Sequence, residues 1–178
     1  MATKATIYKA LLNIANMDSH YYEEHNLTMA KHPSETDVRL MIRLIAFILN
    51  ADDTLAFSKG ISQDDEPDLW RKSLGGEIEL WIDLGQPDEK RIKKACGRSE
   101  QVIIYTYQQG MAEAWWKSIN TSLTRFSNLK VIHLEIEGDM EALAKRAMNL
   151  QANVSDGDLT LIDEDHSVVV REKPWSDR

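Results

Sequence analysis

Carboxylates dominate Glu77-Ile78-Glu79-Leu80-Trp81-Ile82-Asp83-Leu84-Gly85, and basic residues dominate the adjoining stretch, Gln86-Pro87-Asp88-Glu89-Lys90-Arg91-Ile92-Lys93-Lys94-Ala95. The first half alternates. On a strand, Ile78, Leu80 and Ile82 take one face while Glu77, Glu79, Trp81 and Asp83 take the other, so one pleat carries three carboxylates. Gly85 and Pro87 end the strand and start a helix that returns lysines beside its acidic end. Hard oxygen ligands next to ammonium groups suit one chemistry: Glu79 and Asp83 hold Mg2+ or Mn2+, and Lys90 or Lys93 neutralises a phosphodiester under attack by metal-activated water. The same residues also read as ordinary helix design. Pro87 occupies the first helical position, Asp88 and Glu89 the positive end of the dipole, and Lys93, Lys94 and Arg98 the negative end.

Two other places enlarge the acidic set. Glu35 opens a long helix and is followed by Arg39 and Arg43 along its one polar stripe. In water this is a cap with an ion pair, but the helix is otherwise apolar, which makes a charged stripe costly. The run Asp64-Asp65-Glu66-Pro67-Asp68 offers further ligands in Asp65 and Asp68, and equally reads as a helix start capped by Asp64 or Asp65. The histidines, His20, His25, His32, His133 and His166, show no paired ligand spacing, which argues against structural zinc. Cys96 is the single cysteine, so there is no disulfide framework, and this fits a reducing cytoplasm.

The elements that must position these groups follow from periodicity. Residues 4–13 and 21–30 predict an antiparallel strand pair. Ser34 is the expected cap of a helix over 35–50 that is buried almost all round. A short strand over 55–58 and a polar turn-helix over 64–72 lead to the acidic strand. Beyond it, strand and helix alternate: 77–84 with 88–96, 102–105 with 111–118, and 131–136 with 139–150. Residues 151–154 and 159–162 close in a hairpin, and 171–178 is a frayed polar tail. Strand–helix alternation predicts an α/β fold, a mixed central sheet with helices on both faces, in which ligands gather at the carboxyl ends of parallel strands.

The chain has 178 residues, expected to form one domain over 1–178, and a net charge of −8. That charge argues against coating duplex DNA, so nucleic acid would be met locally, through the short basic helix; the alternative is a protein partner. No apolar run is long enough to cross a membrane, and neither a G-x-G-x-x-G nor a P-loop sequence is present. Oligomeric state is not encoded in any of these features.

Lys4-Ala5-Thr6-Ile7-Tyr8-Lys9, His32-Pro33-Ser34-Glu35-Thr36, Asp64-Asp65-Glu66-Pro67, Leu80-Trp81-Ile82-Asp83-Leu84-Gly85, Pro87-Asp88-Glu89 with Arg91-Ile92-Lys93-Lys94-Ala95, and Trp115-Trp116 together resemble the YaeQ family of bacterial proteins. The resemblance covers nearly the whole chain. It implies a compact variant of the PD-(D/E)XK restriction-endonuclease-like fold, and with it a Mg2+-dependent nuclease or phosphodiesterase; the alternative is a non-catalytic interaction or regulatory module on that fold. Under the resemblance Glu35 matches the first-helix glutamate, and Asp83 matches the acid of the acid-x-lysine element, whose lysine is replaced by Gly85. Lys90 and Lys93 are the substitutes on the following helix. Pro67-Asp68 spells the Pro-Asp element, with Asp65 and Glu79 as competitors for its role.

Overall fold

A computed structural model describes residues 4–58 and 65–177. Ten strands form one sheet: β1 Thr6–Asn16, β2 Tyr21–Lys31, β3 Leu55–Phe57, β4 Leu69–Lys72, β5 Ile78–Leu84, β6 Ser99–Thr106, β7 Leu129–Glu137, β8 Ala147–Ser155, β9 Asp158–Ile162 and β10 Ser167–Asp177. Three α-helices accompany them, α1 Asp37–Leu49, α2 Glu89–Arg98 and α3 Gln109–Leu123. The spatial order is β2-β1-β8-β9-β10-β7-β6-β5-β4-β3.

This overturns the layered, restriction-endonuclease-like α/β arrangement expected from strand–helix alternation. The sheet curls into a nearly closed, barrel-like wall, and the reason lies in α1. Leu40, Met41, Ile42, Leu44, Ile45, Ala46, Phe47 and Ile48 are all buried, so the helix has apolar side chains on every side but the Arg39–Arg43 stripe. A flat sheet can cover one stripe of a helix; only a wall bent around it removes the whole circumference from water, each buried aliphatic side chain contributing about 1.5–3 kcal/mol. The wall supplies Leu12 of β1, Leu150 of β8, Leu161 of β9, Val170 of β10, Leu134 of β7, Tyr105 of β6 and Ile82 of β5 to one core with α1. Helices α2 and α3 pack outside, where Ile92, Ala95, Ile119 and Leu123 meet Trp81, Val102, Ile104 and Val131. Strand β6 is therefore covered on both sides, which accounts for its unbroken apolar run.

Several local expectations change with the topology. Two parallel steps, β5 to β6 and β6 to β7, carry the predicted helical crossovers. The third does not. Residues 139–150 are a short 3-10 turn, Glu141–Leu143, followed by β8, because Met148, Leu150, Ala152 and Val154 alternate inward and pair in parallel with β1. The expected frayed tail is β10, hydrogen-bonded to β9 on one side and β7 on the other. The polar turn-helix over 64–72 is replaced by β4, antiparallel to β5; its proposed cap Asp64 lies outside the described residues. Helix α1 is capped by Thr36, whose side chain accepts from the Arg39 N–H, rather than by Ser34. In β5, Leu80 and Ile82 face α1 while Trp81 faces α2, as alternation requires, but Ile78 joins the outer cluster beside a register shift opposite Lys72.

Candidate functional site

The acids and their partners gather where β5 ends. Gly85 turns the chain there with φ +93, a left-handed conformation that favours glycine, and its N–H donates to the Tyr105 carbonyl. Asp83 points to the α2 side and is 3 % exposed. Arg91, in the first turn of α2, grips it with both ends of its fork: Nε donates to Oδ2 at 2.9 Å and Nη2 to Oδ1 at 3.0 Å. Nη2 also donates to the Glu66 carbonyl at 2.9 Å, tying the segment before β4 to the same guanidinium. Burial pushes the Asp83 carboxyl up, and the nearby Asp68 charge adds to this; Arg91, and Trp81 on the same face, oppose it without cancelling it.

Asp68 stands just before β4. Its own N–H donates to the Ile82 carbonyl, and its Oδ2 accepts the Leu84 N–H at 2.9 Å, so a side chain extends the ladder one step past the end of the strand. Its Oδ1 accepts from Nη2 of Arg39 at 2.7 Å. Arg39 also donates to Glu35 Oε2 at 2.8 Å, and Arg43 completes the set through Nε to Oε2 at 2.9 Å and Nη2 to Oε1 at 2.7 Å. Burial works against the Arg39 charge, but Asp68 and Glu35 outweigh it and hold the guanidinium above its ordinary value. Tyr107, just past β6, faces this group; burial raises its phenol, Asp68 and Glu35 raise it further and Arg39 lowers it.

The sequence candidates separate accordingly. Glu35, Asp68 and Asp83 lie along one chain of contacts, Glu35 through Arg39 to Asp68 and across the Leu84 N–H to the neighbouring Asp83. Glu35 precedes the helix cap and is 3 % exposed, a buried partner of two arginines. Glu79 does not join them: four residues from Asp83, it stands about 13 Å along the strand and pairs with Arg71 at 3.4 Å. Asp65 is exposed and held by Lys94 at 2.7 Å, which lowers its pKa. Lys90 and Lys93 are exposed on α2.

The fit of a divalent cation follows from the partners these acids already have. Each of the six oxygens of Glu35, Asp68 and Asp83 already accepts an N–H from an arginine or the backbone. Among the described residues, no group of three or more His, Cys, Asp or Glu side chains is arranged to hold a metal. Arranged in this way, the acids do not fit Mg2+ or Mn2+.

Sequence reasoning missed Arg91, which makes the tightest contact with Asp83. The available signal was its chemistry: only a planar guanidinium pairs a carboxylate through two parallel bonds, whereas the lysines beside it are point charges. Outside the network, α2 borders an open cleft of about 560 Å3 lined by Asp65, Asp88, Lys90, Arg91 and Lys94. Asp88 caps the helix by accepting the Arg91 N–H at 2.8 Å.

A near-barrel of strands around one enclosed helix, with an acid–arginine chain at the carboxyl ends of its parallel strands, defines a strand-dominated α+β class of protein. A model of the family described as "YaeQ protein" matches residues 1–172, and the chain belongs to that family. It is 42% identical over 177 residues to "Uncharacterized protein YaeQ" of Escherichia coli (strain K12), covering 98% of each chain, and 42% identical over 178 residues to the protein of the same name from Salmonella typhi. The crystal structure of YaeQ protein from Xanthomonas axonopodis pv. citri superposes with a TM-score of 0.92 at 44% identity, over 98% of this chain and 99% of that one. The crystal structure of YaeQ protein from Pseudomonas syringae gives 0.89 at 29% identity, over 98% and 97%. No helix among the described residues is long and apolar enough to cross a membrane.

Proposed function

We propose that the protein is a binding module for a phosphate-bearing chain, the backbone of a nucleic acid, which it meets through the cleft along α2. The observation that carries this reading is the division of charge across β5. The buried acids are spent on arginines, while Lys90, Arg91 and Lys94 outnumber Asp65 and Asp88 in the lining of one open cleft, with Lys93 exposed on the same helix. Arg91 is fixed in place by Asp83, and the lysines add unspecific attraction, so phosphates are met without base readout. On a protein of net charge −8 the contact is weak and strongly salt-dependent.

Metal-dependent phosphodiester hydrolysis is the second reading. One observation favours it: Asp68 is close enough for its charge to raise Asp83, so two buried carboxylates are neighbours. It requires Arg91 to leave Asp83 before Mg2+ or Mn2+ can approach. Fluorescence anisotropy with single-stranded and duplex DNA and RNA, repeated as salt is raised, tests both. Binding that weakens with salt and with Lys90→Ala plus Lys94→Ala supports the module. Cleavage that needs Mn2+ and disappears in Asp83→Asn would replace it with the second reading, and no binding to any strand would defeat the first.

A further inference from the structure

Strand β2 is the first in the spatial order, with β1 on one side and no strand on the other. The direction of its backbone groups follows from β1. There the Lys9 N–H donates to the Arg146 carbonyl at 2.9 Å and the Met17 N–H to the Val154 carbonyl at 2.8 Å, so odd-numbered residues of β1 turn toward β8 and even-numbered ones toward β2. The register Ala10↔Leu27, Leu12↔His25, Ile14↔Glu23 then assigns the odd-numbered residues of β2 to the β1 ladder. Tyr22, Glu24, Asn26 and Thr28 point N–H and C=O the other way, out of the sheet edge, and among the described residues no group bonds to them. Ala30, of the same set, has its carbonyl met by Nη2 of Arg43 at 3.0 Å.

Edges of this kind are usually blunted by shortness, bulges, proline or lysine. Strand β2 has none of these: its register with β1 runs unbroken over eleven residues, with no proline and no lysine before Lys31. The opposite edge, β3, has three residues. Exposed apolar side chains collect at the same place. Of the six large ones among the described residues, Ile7, Leu11, Met17 and Tyr22 belong to this hairpin. Ile7, Leu11 and Tyr22 share its outer face, since they alternate with residues that point to the α1 core.

We propose that β2 pairs antiparallel with β2 of a second copy about a two-fold axis at Asn26, joining the two sheets into one. In this register Tyr22 stands opposite the partner's Ala30, Glu24 opposite the partner's Thr28 and Asn26 opposite the partner's Asn26, and outward N–H and C=O groups bond across the axis. No like charges are opposed. Ile7 neighbours Ala30 and Tyr22 neighbours Ala15 within each hairpin, so an apolar row runs across four strands, from Ile7 over Ala30 to the partner's Tyr22 and the partner's Ala15. Other registers lose part of this. An axis nearer the N-terminus leaves Ala30 out of the ladder and, at Glu24, sets two carboxylates face to face; an axis nearer the C-terminus leaves out Tyr22. A lone extended peptide could take the hydrogen bonds but brings no second hairpin to complete the row, which selects another copy of this chain.

The test is sedimentation velocity on the full chain from about 1 μM to about 1 mM, the range expected because pairing one edge buries little area. Wild type should pass from monomer to dimer. Asn26→Asp and Asn26→Lys each set like charges on the axis and should each weaken the dimer at least about tenfold, while an equal mixture of the two should restore it. Thr28→Pro removes an outward N–H without touching the β1 ladder and should weaken the dimer by a similar factor, its unchanged circular dichroism showing that the hairpin is intact. If Thr28→Pro fails to fold, the charge pair decides alone. A monomer at every concentration overturns the proposal and leaves the edge to an extended peptide. A dimer that survives Asn26→Lys, or a mixture no more dimeric than its components, overturns pairing about Asn26.

Discussion

The two faces of β5 handle charge in opposite ways. Toward α1, Glu35, Arg39, Arg43 and Asp68 form a closed chain in which Glu35 and Arg43 are almost wholly buried, and every carboxylate oxygen has a donor. Toward α2, Lys90 and Lys93 stand in solvent, and the Lys94–Asp65 pair is 52% and 79% exposed. Both sides mix acids with bases, arginines toward α1 and chiefly lysines toward α2. What separates them is water: a buried charge must be matched or the chain does not fold, whereas an exposed one adds little to stability and is available to a partner. Acids and bases thus form a structural lock on one side and an exposed charged surface on the other.

The strongest way to break that comparison is to open the lock. Glu35→Ala leaves Arg43 buried without its partner and should cost about 3–5 kcal/mol in urea unfolding, whereas Glu35→Leu combined with Arg43→Leu should recover most of it. A loss below about 1 kcal/mol for Glu35→Ala would mean that water reaches the pair and that the α1 side is no more closed than the α2 side. A smaller effect tests how the enclosed helix is pinned. Asn50, the C-cap of α1, donates to the Tyr105 hydroxyl at 2.8 Å, and Tyr105→Phe should cost about 1 kcal/mol by removing that bond from a dry site.

Asp83, the one buried acid among the described residues of the α2 face, predicts a pH signature. Its folded pKa is raised, so its contribution to stability is fully present below the ordinary carboxyl value of 3.8 and is lost as pH rises through the raised value. The exposed Asp65, with a lowered pKa, acts with the opposite sign: its contribution is present above 3.8 and lost as pH falls. Urea melts across the acid range should show the first trend weaken in Asp83→Asn, with Glu172, also raised by burial, keeping the remainder, while the second persists; an unchanged profile would place Asp83 in a wetter site. The smallest stability change belongs to the open side. Lys90→Ala with Lys94→Ala should stay within about 0.5 kcal/mol of wild type. Single-strand binding should nevertheless fall, with the salt slope shallower by about 0.7 for each phosphate that is no longer neutralised.

Local patterns reached the pieces that local physics controls. The β1–β2 pair, the burial of α1 almost all round and the β8–β9 hairpin are legible because each rests on neighbours in sequence, whereas the start of α2 was read one turn position early: Asp88 caps the helix and Pro87 precedes it. The wrong architecture came from two segments decided by distant partners. Met140, Leu143 and Ala144 have helical spacing, and nothing nearby reveals that Met148 to Val154 will line up with Ala10 to Asn16. Arg171, Glu172, Lys173 and Pro174 read as a tail because polar residues and proline are depleted in strands, yet Pro174 is accommodated beside a register shift opposite Ile132. At the site, the stripe Glu35, Arg39, Arg43 was visible, but its junction with Asp68 spans 29 residues and depends on the β4–β5 pairing. Glu79 shared a face with Asp83 as expected, but Trp81 stands between them.

The position of β10 bears on the order in which the molecule assembles. It is the last strand in the chain, yet it lies between β9 and β7, joining β2-β1-β8-β9 to β7-β6-β5-β4-β3. During synthesis the two half-sheets can each form, but they cannot be joined until residues 167–177 have emerged from the ribosome. Until then the inner edges of β7 and β9 are open templates for intermolecular pairing. The long-range contacts that complete the wall are also the slowest kind to form. Every nascent copy therefore passes through an aggregation-prone stage that ends only with its final strand, and a few residues lost from β10 would prolong it far more than the same loss from β2 at the sheet's outer edge.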